Sequence, residues 1–207
     1  MTWGAFGLIL LAALLASASP GPATLAIAGT SMESGRKRGL AMALGITTGS
    51  WVWSIGAAMG LSALMLSHAW AFEIMRYVGA GYLLYLAFKS AKSAMRSDVI
   101  KAKGLTIESS KVAYLKGLGL HLTNPKAILF FGALYAIGMP ANATVSDLIL
   151  VIVGIGFQSV IVFCSYAVLF STAGMMTQYT KLRRWFEGVF AIMFGFASLK
   201  ILTTRLS

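Results

Sequence analysis

The chain has 207 residues, of which 58% are hydrophobic and only 11% carry a charge. A water-soluble domain carries about 25% charged residues, so this composition leaves too few charges to cover a surface that faces water. The sequence therefore excludes a soluble globular domain and predicts an all-α, polytopic membrane protein. The net charge of +11 does not indicate nucleic-acid binding, because the basic residues lie between apolar segments, where they orient a membrane protein.

The first apolar segment contains no charged residue before Glu33. Its Ala16-Ser17-Ala18 stretch resembles a signal-peptide cleavage site, but no Lys or Arg precedes the segment and its apolar character continues to Gly29. We therefore expect a retained first helix over residues 4–29. Because a span needs about 20 apolar residues, the sequence predicts five further membrane helices, at 40–66, 77–88, 114–138, 147–172 and 186–203.

The positive charge is concentrated in three segments between the predicted helices. Segments 30–38, 89–116 and 173–185 hold thirteen of the 17 lysines and arginines. With six spans these segments lie on one side of the membrane, and the positive-inside rule makes that side cytoplasmic. Both chain termini are then expected outside.

Helix-breaking residues interrupt two of the apolar segments at matching positions. Ser19-Pro20-Gly21-Pro22 lies in the first predicted helix, and Thr123-Asn124-Pro125-Lys126 lies in the fourth. Proline has no backbone N–H and disrupts the helix one turn earlier, and within lipid each freed carbonyl needs another partner. Paired interruptions of this kind indicate the binding site of a secondary transporter.

Matches at nearly one offset indicate an internal duplication. Residues 77–92 align without gaps with residues 185–200 at an offset of 108. The two interruptions match at an offset of 103, because Pro22 and Pro125 are each followed seven residues later by a glycine. Each half therefore repeats the same order of elements.

The proposed halves each contain three helices, an odd number, so the second half must be inverted in the membrane relative to the first. The third helix of each half has only 12 uncharged residues and is expected to be short. We predict six transmembrane helices as two inverted three-helix repeats, at 1–92 and 112–207. The polar segment 93–111 is expected to be a cytoplasmic linker.

Lys126 is the most distinctive residue, because it lies about ten residues inside the predicted fourth helix. A cation at membrane depth is costly and marks function by default. Its ammonium group would hold the carboxylate of a substrate, or it would hold the carbonyl groups freed in the broken first helix. The alternative is a lysine that extends to the interface and anchors the helix.

The two interruptions and one polar residue complete the candidate site. A half-helix that begins after Pro20-Gly21-Pro22 would present free N–H groups, which favour an anion such as a carboxylate. Asn124 would contact substrate or satisfy the backbone that Pro125 frees, and Gln158 in the fifth helix would line a polar path or bond a neighbouring helix. The candidate substrate-binding residues are Pro20, Gly21, Pro22, Asn124, Pro125, Lys126 and Gln158.

The titratable residues give no sign of an enzyme or of a metal site. All six acids lie at predicted helix ends or in the linker, so no carboxylate is expected at the membrane midplane: Glu33, Glu73, Asp98, Glu108, Asp147 and Glu187. Proton coupling would then use an edge acid, His121 or Lys126. The two histidines are isolated from metal-ligand partners, Cys164 is the single cysteine, and no phosphate-binding loop is present. No cofactor is expected.

A stripe of glycines on the second predicted helix indicates close helix packing. Gly45, Gly49, Gly56 and Gly60 fall within about 60° of one another at 100° per residue. Small residues spaced in this way let another helix approach closely. The partner would be a helix of the same protomer, a second copy in a homodimer, or the transport path.

Four motifs together resemble the LysE/RhtB family of amino-acid exporters, over nearly the whole chain and in the same order. They are Ser19-Pro20-Gly21-Pro22, the stretch 35–41 with Gly45 and Gly49, the stretch 79–86, and Asn124-Pro125-Lys126-Ala127 with Phe130 and Phe131. The resemblance implies efflux of amino acids or close derivatives from the bacterial cytoplasm, driven by the proton gradient. Ala87, where the family often has glycine, and the stretch 132–140 depart from the family pattern.

The sequence therefore predicts a bacterial inner-membrane transporter rather than an enzyme. Its expected partners are a small zwitterion such as an amino acid and the membrane lipid, with a homodimer left open and no nucleic acid. Two alternatives stay open: an exporter of an ion or another small metabolite, and a membrane assembly protein that transports nothing.

Overall fold

A computed structural model describes residues 1–67, 69–95, 107–140, 142–172 and 174–203. These residues form eight α-helices and no strand, which confirms the all-α prediction. The predicted linker 93–111 is described only at its ends, because residues 96–106 lie outside the described residues. The helices are α1 (Trp3–Ala18), α2 (Pro22–Ser34), α3 (Arg36–Ser67), α4 (Ala69–Met95), α5 (Ser110–Leu122), α6 (Pro125–Gly138), α7 (Val145–Phe170) and α8 (Met175–Thr203).

Length and hydropathy identify two of the described helical segments as membrane spans, Arg36–Gly60 in α3 and Val145–Phe170 in α7. The pair α1 and α2 is a third apolar segment, bent by 52° at its break. Both predicted interruptions are present, since α1 ends at Ala18 before α2 begins at Pro22, and α5 ends at Leu122 before α6 begins at Pro125. The apolar helices agree with a multi-pass membrane protein.

The third helix of each predicted half is longer than expected. The helix α4 has 27 residues and α8 has 29, whereas only about 12 uncharged residues suggested short helices. Most of segment 173–185, predicted as a loop, is the first part of α8. Lysine and arginine are good helix formers, so a charge limits the apolar stretch without ending the helix.

Close approach of α3 and α5 explains part of the glycine stripe. A methyl group on Gly45 would overlap the carbonyl oxygen of Tyr114, and one on Gly117 would overlap α3 in return. Around Gly56 and Gly60, in contrast, no described atom lies within 4 Å of such a methyl group. The first half of the stripe therefore packs within the protomer.

Contacts at the two ends of α7 show which parts of the chain lie at each end of the helix bundle. The amino group of Met1, beside the start of α1, lies 2.9 Å from Asp147 Oδ1 at the start of α7. At the other end of α7, Arg36 Nε donates to Ser171 Oγ at 3.1 Å. The basic segment 30–38 therefore lies at the opposite end of the bundle from Met1.

Four apolar clusters are found among the described residues, and two of them lie around the broken helices, one toward each end of the bundle. The Met1-end cluster joins α1, α6 and α7, and the Arg36-end cluster joins α2, α3, α5 and α7. The first includes Ile9, Ala13, Phe130, Phe131, Tyr135, Val151 and Ile155. The second includes Ala23, Ile27, Met42, Ile46, Ala113, Phe163 and Ala167. The breaks in both interrupted helices lie between these clusters.

Candidate substrate site

The break between α1 and α2 is built by two prolines and one threonine. Pro22 is the first residue of α2, a position where its missing N–H costs nothing. Gly21 before it is extended, with φ of −171°. The Thr24 hydroxyl accepts from Gly21 N at 2.9 Å and donates to Gly21 O at 3.0 Å, so the residue before α2 is held by a local pair of hydrogen bonds.

Each proline of this break frees one carbonyl oxygen, and a side chain from the second half of the chain satisfies it. In a continuous helix, residue 20 would bond the carbonyl of Ala16 and residue 22 that of Ala18. Lys126 Nζ donates to Ala16 O at 3.2 Å, and Tyr166 Oη donates to Ala18 O at 2.8 Å. An unpaired buried carbonyl costs about 1–3 kcal/mol, so these contacts stabilise the break.

The break between α5 and α6 is satisfied in the same manner. Pro125 leaves the carbonyl of His121 free, and this oxygen accepts from Trp53 Nε1 at 3.3 Å and from Asn124 N at 3.2 Å. Asn124 caps α6, because its Oδ1 accepts from Lys126 N at 3.0 Å. Asparagine is among the preferred residues at this position. The cap fixes the start of α6 and with it the Lys126 side chain.

The two breaks meet at Lys126. Besides Ala16 O, its ammonium group donates to Ser19 Oγ at 3.0 Å. A methyl group built on Gly21 would lie 3.6 Å from Lys126 Nζ, so the ammonium lies against the start of α2. The amides of Ala23 and Thr24 in the first turn of α2 have no hydrogen-bond partner among the described residues. A cation and a positive helix end therefore converge.

A cavity of about 50 Å³ lies at this point, between the two apolar clusters. One part of its wall is apolar and comes from both clusters, with Ala13, Phe130, Phe131, Ile155 and Phe163. The other part is polar, with Ser17, Ser19, Thr24, Ser50, His121, Asn124, Lys126 and Ser159. Pockets for small molecules usually measure about 300–1,000 Å³, so a substrate requires this cavity to widen.

The predicted site residues occupy different positions relative to the cavity. Gly21, Pro22, Asn124 and Lys126 line it. Pro20 and Pro125 shape the breaks but are not part of the wall. Gln158, half-buried on α7, is also outside the wall. The face of α7 that borders the cavity is formed by Ile155 and Ser159, which are four residues apart and therefore lie on one side of the helix.

Three residues near the site were not among the predicted ones. Tyr166 holds the α1 end, and Tyr82 Oη donates to Lys126 O at 3.1 Å. His121 lines the cavity and is 6% exposed. The sequence holds a signal for His121, which precedes Pro125 by one helical turn, and for Tyr82, which lies in the stretch 79–86 of the family resemblance. Nothing in the sequence singles out Tyr166.

One acidic residue, Glu187, lies at a different position in its helix from the one that the sequence predicted. Glu187 was expected at a helix end, but it is the thirteenth residue of the 29-residue α8 and is only 5% exposed. Its charge and that of Lys89 act electrostatically on Lys126. The helix α8 starts eleven residues earlier than the sequence suggested, so Glu187 lies within it rather than at its end. This helix packs along α4. Among the described residues, no three of His, Cys, Asp and Glu come together to hold a metal ion.

The LysE type translocator family matches residues 14–205. The threonine efflux protein of Escherichia coli (strain K12) is 28% identical over 200 residues, covering 93% of this chain and 94% of that protein. The leucine efflux protein of Enterobacter sp. (strain 638) is 32% identical over 201 residues, covering 94% and 90%. No solved structure matches. The chain, a translocator and not an enzyme, therefore belongs to the LysE type translocator family.

Proposed function

We propose that this protein exports an α-amino acid or a close derivative from the cytoplasm. The observation that carries the proposal is the position of Lys126 Nζ at the start of α2, in the wall of a cavity that is partly apolar. Such a site favours a carboxylate attached to a small organic body. The names of the relatives, threonine efflux protein and leucine efflux protein, agree with this substrate class.

The ammonium group of Lys126 has capacity for a substrate. An ammonium has three hydrogens to donate, and two are used by Ala16 O and Ser19 Oγ. The third hydrogen and the amides of Ala23 and Thr24 are the donors that we assign to the substrate carboxylate. A substrate bound there would contact the two ends of the broken first helix at once.

Access to the site would alternate between the two ends of the bundle. Residues of the Met1-end cluster and of the Arg36-end cluster line the cavity, and we assign the two clusters as its two gates. Opening one cluster at a time would expose Lys126 first to the cytoplasm and then to the outside, without a continuous pore. Both clusters are apolar, so each closed end would exclude water and ions.

The six-span arrangement with two inverted repeats, at 1–92 and 112–207, is part of the proposal, as is the linker at 93–111. Two features support it: α3 packs on α7 and α4 on α8, which are equivalent helices of the two halves, and both first helices are broken. We infer that the Arg36 end faces the cytoplasm of a bacterial inner membrane. Exposed apolar side chains such as Phe88, Phe157 and Ile161 suit contact with lipid.

Proton antiport is the coupling that we propose, with Glu187 as the carrier of the proton. It is the buried carboxylate among the acids whose side chains are described, and its charge acts on Lys126. A group near the binding cation can link proton uptake to substrate release. Ionisable residues within membrane helices are functional by default.

Counterflow in liposomes tests the proposed function directly. Purified protein is reconstituted with an unlabelled amino acid inside, and uptake of the same labelled amino acid is followed for a panel that includes threonine and leucine. We expect transient accumulation of at least one amino acid and none of inorganic ions. Accumulation of ions alone, or of no solute, would contradict the proposal that the protein exports amino acids.

A homodimer through the free half of the α3 stripe is a separate proposal. A methyl group on Gly56 or Gly60 would meet no described atom within 4 Å, and Val52, Ile55 and Met59 beside them are exposed. Small residues with open space favour association of membrane helices. Gly56→Leu should weaken crosslinking between protomers in membranes if this face is the interface. Unchanged crosslinking would place the interface elsewhere or exclude a dimer.

A further inference from the structure

The imidazole ring of His121 is held in the cavity wall by groups on α3. Its Nε2 lies 3.0 Å from Ser50 Oγ, and its own carbonyl accepts from Trp53 Nε1. A methyl group built on Gly49 would lie 2.9 Å from His121 Cβ, so the glycine makes room for the histidine. The ring also packs edge-on to Phe163, with centroids 6.2 Å apart. Such contacts fix the ring orientation.

The hydrogen bonds around Ser50 fit one tautomer of this ring, with the hydrogen on Nε2. Ser50 Oγ lies 3.3 Å from the carbonyl oxygen of Ile46, which can only accept, and 3.0 Å from His121 Nε2. We infer the tautomer in which the Ser50 hydroxyl donates to Ile46 O and accepts from His121 Nε2–H. The Nδ1 atom is left as a lone-pair acceptor, and it has no hydrogen-bond partner among the described residues.

Most other acceptors in the polar wall already have donors. Asn124 Oδ1 accepts from Lys126 N, and Thr24 Oγ1 accepts from Gly21 N. No carboxylate belongs to the described cavity wall. The site therefore offers strong donors for an anion at one position and an unused nitrogen acceptor, on a 6% exposed side chain, at another.

We propose that Nδ1 of His121 accepts a hydrogen bond from the α-ammonium group of the substrate whose carboxylate lies at Lys126. This inference rests on the proposed amino-acid export and adds the group that recognises the amine. His121 thereby selects amino acids against organic acids of the same shape, which carry the carboxylate but lack the ammonium. Ser50 and Gly49 act as positioning residues, because they orient and accommodate the ring.

Discrimination between an amino acid and its 2-hydroxy analogue tests the proposal. The probes are L-leucine or L-threonine, whichever the protein counterflows, and the 2-hydroxy acid with the same side chain. We expect His121→Phe to lower the preference for the amino acid by about tenfold or more, since a hydrogen bond to a charged group is lost. His121→Gln supplies an amide oxygen and should retain part of the preference. An unchanged preference in folded His121→Phe protein overturns the proposal.

A second measurement needs no change at His121. The chain contains two histidines, so His68→Gln leaves one imidazole for nitrogen NMR of ¹⁵N-histidine-labelled protein. Saturating amino acid should shift the Nδ1 resonance, and the 2-hydroxy acid should shift it less. An Nδ1 resonance that does not respond to a transported amino acid overturns the proposal while leaving amino-acid export intact. Loss of all counterflow in unchanged protein would instead overturn the proposed function.

Discussion

Lys126 Nζ donates a hydrogen bond to the carbonyl oxygen of Ala16, the group that Pro20 leaves without a backbone partner. The two residues are 110 positions apart, and they join the broken first helix to the start of α6. The cation assigned to the substrate therefore also stabilises the helix end that shapes the site. Binding of a carboxylate at Lys126 would change the contacts of α1 directly, which links substrate binding to movement of that helix.

Replacement of Lys126 by methionine should separate its two roles. Met keeps length and apolar volume but removes the charge and both hydrogen bonds. We expect transport in vesicles to fall by about hundredfold or more, because loss of one partner from a buried charge interaction costs about 3–5 kcal/mol. Pro20→Ala in the same chain supplies an N–H that reaches Ala16 O once Ser19, which is extended with ψ of 137°, joins the helix. The free energy of unfolding of the double variant should be about 1–3 kcal/mol higher than that of Lys126→Met alone.

The double-mutant cycle supplies the control for this prediction. Pro20→Ala in the unchanged chain should gain less stability, since Ala16 O already has its donor in Lys126. Thermal unfolding in detergent and efflux in vesicles are measured for all four proteins. If Lys126→Met transports normally, the lysine is an anchor and the proposed carboxylate site is wrong. If Pro20→Ala restores no stability, the carbonyl of Ala16 is not what the lysine stabilises.

Tyr166→Phe should affect stability more than transport. The change removes the hydroxyl that donates to Ala18 O, and it keeps the ring stacked on Phe170 at 5.6 Å. We expect a loss of about 1–3 kcal/mol of unfolding free energy, because the carbonyl freed by Pro22 is left unpaired. Tyr166 is outside the cavity wall, so substrate KM should stay within about twofold of wild type. A large rise in KM with unchanged stability would contradict the structural role of Tyr166 and indicate that it contacts the substrate.

The sequence predicted the interruptions well, because proline acts locally. Two prolines within an apolar segment must break the helix, and both breaks are found where the residues indicated. The role of Lys126 was left between substrate and freed carbonyl. The contact with Ala16 O supports the second role, and the cavity leaves room for the first.

Other features depend on packing that the sequence does not encode locally. Tyr166 and Ala18 are 148 residues apart, and no periodic pattern relates them. The sequence also does not show which face of α7 borders the cavity, because α7 is apolar on all sides. The predicted residue was therefore Gln158, whereas its neighbour Ser159 lines the wall. The position of Glu187 was missed because charged residues were read as helix ends.

Gly21→Ala should impair binding without impairing folding. The φ of −171° at Gly21 is open to any residue, and the added methyl group would meet Lys126 Nζ at 3.6 Å, an ordinary van der Waals contact. The methyl group would, however, occupy space beside the ammonium that we assign to the substrate carboxylate. We expect KM to rise by roughly tenfold, equivalent to about 1.4 kcal/mol. Gly81→Ala is the matched control, since its methyl group would meet no described atom within 4 Å.

Cysteine labelling should place the two ends of the bundle on opposite sides of the membrane. In a Cys164→Ser background, a cysteine is placed at Glu108 near the Arg36 end or at Asn142 near the start of α7, and both positions are exposed. A membrane-impermeant maleimide added to intact cells should label position 142 and leave position 108 unlabelled until the cells are permeabilised. Equal labelling of both positions from outside would contradict the six-span arrangement.

Glu187→Gln should uncouple transport from the proton gradient while leaving exchange intact. The substitution keeps the size of the side chain and removes its ability to carry a proton, and Glu187 is not part of the cavity wall. In proteoliposomes, we expect counterflow of a transported amino acid to proceed at a similar rate in the variant. Wild-type efflux should accelerate when a proton gradient is imposed, and efflux by the variant should not.

Glu33→Gln is the control for this experiment, because Glu33 is exposed near the carboxyl end of α2, away from the cavity wall. Its efflux should respond to the gradient as wild type does. Both variants are compared at equal amounts of folded protein, since burial of an uncharged amide also changes the packing of α8 on α4. A gradient response that survives in Glu187→Gln would mean that another group carries the proton, and abolished counterflow would mean that Glu187 is needed to hold Lys126 in place.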